Sequence, residues 1–209
     1  MAYFNDSDIN NMDYLYRINL INSCSGYKSA NLIGTKCNDG VENVAIFSSI
    51  THLGSIPPML GFFVRPTTLA RNTYDNIKST GFYTINHIYQ DIIKDAHHTS
   101  AKYDKMVSEF EVTQLTSEYK NNHYAPFVAN SPIQMAMEFV EEYHIKANNT
   151  ILVIGKINEI QIVDKLIEKD GFINLSKGNI AAINGLDGYT IPKLKTRFDY
   201  QRPKQVENL

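Results

Sequence analysis

Apolar and polar positions alternate most regularly at residues 133–139, where Ile133, Met135, Met137 and Phe139 are separated by Gln134, Ala136 and Glu138. A period of two places one set on one face of a strand. Residues 150–163 form a second long strand, apolar in the first half and alternating at Ile160 and Ile162. Asn148-Asn149 is the turn between them, so the pair is a hairpin. A shorter strand is expected at 31–37, ended by the turn Asn38-Asp39-Gly40. Residues 59–64 are an unbroken apolar run. Pro57-Pro58 opens it at an edge, because proline has no N–H for a ladder, and Pro66 closes it.

Helical signals are fewer. A helix is expected from Asn72 or Thr73, capped by one of them and stopped by Gly81, followed by a strand at 82–85. Ile88, Ile92 and Ala96 recur at i, i+4 and i+8, predicting an amphipathic helix over 87–98. Residues 14–21 fit either a helical turn or a strand. Loops are expected at 23–30, 99–110 and 121–131, and a short helical turn at 166–170. Residues 1–13 are expected to be an arm and 14–209 one domain. Strands joined by hairpins, with about two connecting helices, indicate a mainly β protein built as an antiparallel barrel.

Composition agrees with a β-rich fold: 13 Tyr and 10 Phe, no Trp, and 43% hydrophobic residues. The net charge of −2 gives no reason to expect nucleic acid. The charge is uneven, however. Between residues 188 and 206, Lys193, Lys195, Arg197, Arg202 and Lys204 face Asp199 alone. Two cysteines, Cys24 and Cys37, make no disulfide framework. The polar, acidic N-terminus lacks a signal-peptide pattern, and no apolar run is long enough for a membrane helix. A reduced, cytoplasmic protein with no membrane contact is expected.

Most catalytic signatures are missing. There is no G-x-S-x-G elbow, no dinucleotide or P-loop glycine pattern, and no pair among the six histidines at zinc-site spacing. What stands out is the segment 43–86. It holds a small hydroxyl-rich turn (Ser48, Ser49, Thr51), the apolar run ending in Arg65, and a helix start just after Arg71. Small side chains allow a flat ligand close to the backbone. Two arginines and a helix N-terminus can together neutralise a phosphate. The same groups also fit a plain strand end, a solvated arginine and a helix cap, and composition does not choose between the two.

The stretch NVAIFSSITHLGSIPPMLGFFVRP…RNTYDNIKSTGFYTIN resembles the flavin-reductase-like family, the FMN-binding split barrels that include flavoredoxins. AHHTSAKYDKMVSEFE resembles that family's downstream loop, and GLDGY…RFDYQRPK its terminal segment, although Gln201 stands where the family often has a small residue. The resemblance spans residues 16–203. It implies a six-stranded antiparallel split β-barrel that forms a homodimer, with FMN near the interface. Carried over, Asn43, Ser48, Ser49 and Thr51 match the loop facing the flavin. Arg65, Arg71 and Thr73 match phosphate positions. His98, Ser100 and Lys102 match the loop that reaches the ligand from either subunit. No catalytic acid, base or metal is implied, because the cofactor carries the chemistry. The expected activity is that of an NAD(P)H:flavin oxidoreductase, with NAD(P)H as transient donor. The alternatives are an FMN electron carrier that docks a protein partner through the basic tail, and a non-enzymatic binding module.

Overall fold

A computed structural model describes residues 1–68 and 71–203. Lys204 of the basic tail and residues 69–70 of the central segment lie outside the described residues. In chain order the elements are helices α1 (Asp6–Asn11) and α2 (Tyr14–Cys24), then strands β1 (Lys28–Ser29), β2 (Asn31–Lys36), β3 (Glu42–Phe47), β4 (Thr51–Ser55) and β5 (Pro58–Val64). Helix α3 (Asn72–Thr80), strand β6 (Phe82–His87) and helices α4 (Ile93–His98) and α5 (Glu109–Val112) follow. The chain continues with β7 (Ser117–Glu118), β8 (Phe127–Val128), β9 (Ile133–Ile145), β10 (Thr150–Ile162), β11 (Ala182–Asn184) and β12 (Gly188–Thr190).

Seven strands, not the six expected, form the main sheet, in the order β3-β2-β6-β9-β10-β5-β4. Its pairings are all antiparallel. The two edge strands, β3 and β4, are joined by residues 48–50 alone. Laid flat, six strand spacings would hold them about 29 Å apart. The link from Phe47 to Thr51 reaches only about 14 Å. The sheet must therefore curl until its edges meet, and Ser49 marks the seam by bonding β5 at Phe63. The hairpin of β9 and β10 explains the split. The first half of β9 pairs with β6 and the first half of β10 with β5, so the two halves of the sheet leave the hairpin from opposite ends.

Alternation along β2 builds two cores. Ile33 joins Phe62, Val64, Tyr83, Ile85, Met135, Met137, Ile151 and Val153 inside the barrel, and Ile77 of α3 completes that core from one end. Leu32 faces outward into a second core with Val44, Ile88, Ala96, Val128 and Ile183. Of the sequence expectations, the choice left open at 14–21 is settled, and those for 1–13 and 87–98 are revised. Residues 14–21 are helical, because Asp13 caps α2 through Leu15 and Tyr16 N–H. The arm 1–13 contains α1, closed by a reciprocal Asn5–Asp8 capping box. The helix expected over 87–98 is broken into the end of β6, a single 3-10 turn (Gln90–Ile92) and α4. Ile88 exchanges backbone bonds with Ala30 and Ala181 (3.2 and 2.8 Å), which hold it extended. Ile88, Ile92 and Ala96 still enter the second core, so the apolar spacing holds although the backbone is not one continuous helix.

β3 is an edge strand whose outward donors need covering. Glu109 of α5, buried at 4% exposure, accepts a hydrogen bond from Val44 N–H at 3.0 Å. Burial raises the Glu109 pKa above the ordinary carboxylate value, outweighing that bond. The folded state therefore favours the neutral acid. Its contribution to stability is full below the unfolded pKa of about 4.5 and is lost as pH rises through the folded value. Glu109→Gln keeps an acceptor for Val44 and cannot ionise. Its thermal midpoint should fall less than that of the wild type as pH rises from 4 into the neutral range, measured by a melting series. Parallel curves would show that Glu109 does not titrate in this window.

Candidate functional site

The site grows from the end of β5. Strand pairing ends at Val64, Arg65 is exposed, and Pro66 stops the ladder. The chain then returns so that Arg71 Nη2 donates to the Pro66 carbonyl oxygen at 3.4 Å. α3 begins at Asn72, as expected, but its N-cap position is held by Arg71, not by Asn72 or Thr73, and no side chain caps that end. The reason is that Thr73 is used elsewhere: its Oγ1 accepts from Asn43 Nδ2 at 3.0 Å. Asn43 also reaches Thr35 Oγ1 (3.4 Å), which takes a second donor from Asn76 Nδ2 (3.1 Å). This buried amide–hydroxyl network ties the first turns of α3 to β2 and β3. On the far side of the helix, Tyr74 Oη donates to both oxygens of Glu142 (3.1 Å each), and Lys78 pairs with the same carboxylate at 3.2 Å. Burial and that carboxylate push the Tyr74 pKa up to about 12.

The first amides of a helix have no intrahelical acceptor, and those of α3 have no side-chain acceptor either. The Arg71 guanidinium stands at the same place, with its Nε buried and without a hydrogen-bond partner among the described residues. A buried donor of that kind is costly unless something accepts from it. Because the Thr73 oxygen receives the Asn43 amide, its own proton is left to donate. Among the described residues Arg65 makes no hydrogen bond or ion pair. This end of the barrel is a concentration of donors and positive charge with little to oppose it. The one acidic residue in the first turn of α3 is the exposed Asp75.

The hydroxyl turn lies at the seam. Ser49 Oγ accepts from Phe63 N–H (3.0 Å) and lies 3.3 Å from Phe63 O, which fixes the turn against β5. Ile50 packs into the barrel core. The Ser48 and Thr51 hydroxyls make no hydrogen bond among the described residues, and Thr51 is exposed opposite Gly61. Thus Asn43, Ser48, Ser49, Thr51, Arg65, Arg71 and Thr73 lie on connected pieces: β3, the seam, the end of β5 and the start of α3. His98 ends α4, and Ser100 and Lys102 lie on the turn after it; all three are exposed. His98 Nε2 is 2.6 Å from Tyr103 Oη, and among the described residues no hydrogen bond joins these three to the other group. A recess of about 220 Å³ beside the end of β5 is lined by Pro66, Thr67, Thr68, His144 and Lys146 among others. The exposed Thr51 leaves the turn open to a flat ligand.

The backbone donors at the start of α3 and the orphaned Arg71 Nε were not legible in the sequence. The only available signal was the spacing of Arg71 before a helix start.

A family model described as "Flavin reductase like domain" matches residues 26–176. A solved structure from Shewanella frigidimarina NCIMB 400, assigned as a flavin reductase with a split barrel domain, is 44% identical. It covers 96% of this chain and 100% of that one, with a TM-score of 0.93. Nitrilotriacetate monooxygenase component B from Bacillus cereus shares the fold at 19% identity, covering 96% of this chain and 98% of that one, with a TM-score of 0.80. Flavoredoxin of Desulfovibrio vulgaris (Miyazaki F) shares it at 18% identity, covering 83% and 91%, with a TM-score of 0.72. No curated protein sequence matches the chain.

Proposed function

The chain belongs to the flavin reductase-like family, and from that premise we propose that it is an FMN-dependent oxidoreductase that takes electrons from NAD(P)H. The observation that carries the reading is the uncapped start of α3 with the buried, unpartnered Nε of Arg71 beside it. This set fits a phosphate dianion: two guanidinium groups, free helix amides and the positive end of the helix dipole. FMN, when bound, supplies the two-electron chemistry itself.

The residues of the chain bind and orient. Arg65, Arg71 and the first amides of α3 hold the phosphate, and Thr73 donates to it. Asn43 is a positioning residue, which turns the Thr73 oxygen inward so that its proton points away from the barrel. Ser48 and Thr51 offer hydroxyls to the flat part of the ligand, and Ser49 keeps their turn rigid. The open surface at the turn leaves room for a second planar molecule to stack. His98, Ser100 and Lys102 complete the site across a homodimer interface. The dimer reading is supported by α2, which has no buried residue and exposes Tyr14 at 65% and Leu15 at 66%.

The test is the visible spectrum of FMN-loaded protein under anaerobic conditions, before and after NADH and then NADPH. Flavin bands retained on gel filtration and bleached by one donor are the expected result. Protein that retains no flavin at saturating FMN would overturn the reading. Flavin that binds but persists with both donors would remove the reductase and leave a carrier.

A further inference from the structure

A second recess lies outside the site described above. It is an open cavity of about 550 Å³ between β1, the end of β6, residues 172–182 and the C-terminal segment 192–195. Its size is that of an ordinary small-molecule pocket. Phe172, Ile173, Leu175, Ile180 and Leu194 make its walls apolar. Three lysines, Lys28, Lys193 and Lys195, line it as well, and no carboxylate does. None of the three is in an ion pair: Lys28 Nζ donates to the Asn22 carbonyl, Lys193 Nζ to Asn179 Oδ1, and Lys195 to no described residue. His87 also lines the cavity. Burial lowers its pKa to about 4, so near neutral pH it adds a polar group but no charge.

The wall formed by the tail is fastened on both sides. Ser176 Oγ accepts from Leu194 N–H at 2.6 Å and donates to the Pro192 carbonyl at 3.2 Å. Beyond the cavity, Arg197 pairs with Asp170 at 2.6 Å and lies 3.9 Å over the ring of Phe172. These contacts hold Lys193 and Lys195 at the rim. Three unpaired cations around an apolar hollow select an organic anion: the hollow takes the apolar body, and the lysines take the charge.

We infer that this cavity is a binding site for a small, mainly apolar organic carboxylate, served by Lys193 and Lys195 of the tail and distinct from the arginine cluster at α3. The inference does not rest on the flavin reading. It gives the basic tail a small-molecule role in place of docking an acidic protein.

The probe is 2-naphthoate, with the neutral 2-naphthamide as its control, titrated calorimetrically into the full chain with and without saturating FMN. Naphthoate should bind saturably in both conditions, at least about tenfold tighter than the amide. It should shift the methyl NMR signals of Ile180 and Leu194. The double variant Lys193→Ala/Lys195→Ala, which alters two exposed side chains, should bring naphthoate down to the amide's affinity and leave the amide unchanged. Equal binding of the two probes, shifts at other methyls, or displacement of naphthoate by FMN would overturn the proposal. So would no saturable binding at all, whether because a second copy of the chain fills the cavity or because nothing does.

Discussion

Arg71→Gln should weaken FMN binding by about ten- to a hundredfold, because hydrogen bonds to a charged group contribute about 1.5–3 kcal/mol each. Arg71 is half-buried, and its Nε has no partner among the described residues. Its contact with a phosphate would be screened less than one made by the exposed Arg65. Arg65→Gln should therefore cost less, and its effect should shrink as salt is raised. Stability should barely move in either variant. Among the described residues the one side-chain bond Arg71 makes is the long one to Pro66, and glutamine relieves the orphaned donor. The thermal midpoint should stay within about 2 °C. Riboflavin, which lacks the phosphate, is the deciding control. Its affinity should be the same in wild type and Arg71→Gln, measured by flavin fluorescence quenching. Equal losses for FMN and riboflavin would mean that Arg71 shapes the site and does not hold a phosphate.

Gly155→Ala should be strongly destabilising for a single added methyl group. Gly155 sits at a register shift of β10, where the Tyr83 phenol passes over its backbone. A Cβ there would collide with Tyr83 Oη, lie 2.8 Å from Tyr83 Cζ and 3.0 Å from the Glu138 carbonyl oxygen. Neither neighbour can yield easily. The Tyr83 ring is fully buried and packs edge-on against Phe62 (centroids 5.7 Å apart), while Glu138 O belongs to β9 backbone. Overpacking of this kind costs about 3 kcal/mol, or about 10 °C in the thermal midpoint of a chain this long.

Tyr83→Phe is the companion variant. The Tyr83 hydroxyl is buried without a partner, and burial alone pushes its pKa well up. Removing it should be neutral or stabilising by about 1 kcal/mol. Removing it also withdraws the atom nearest the new methyl group. The double variant Gly155→Ala/Tyr83→Phe should therefore be more stable than additivity predicts, by about 1 kcal/mol or more in denaturant melts. Strict additivity would show that β10 shifts to accommodate alanine without involving Tyr83.

These two predictions differ in how much of each could be read in advance. Arg71 was singled out from its place before a helix start, but its orphaned nitrogen was not. The crowding at Gly155 had no sequence signal, because Tyr83 and Gly155 are 72 positions apart in the chain. Glu109 is similar: in a polar stretch it looks like a solvated side chain, and it is buried because α5 covers the edge of β3.

The sequence by itself determined the strands with period-two patterning, the β9–β10 hairpin with its Asn148-Asn149 turn, the stop of α3 at Gly81, and the membership that follows from the ordered motifs of the central segment. These are local facts, set by side-chain alternation and by turn residues a few positions apart. The tertiary structure alone decided the closing of seven strands at Ser49, the capture of Ile88 as an extended residue, the diversion of Thr73 from capping α3 to receiving Asn43, and the use of the basic tail as a cavity wall. Each of these depends on which distant backbone or side chain comes within hydrogen-bonding reach, and spacing along the chain does not carry that information.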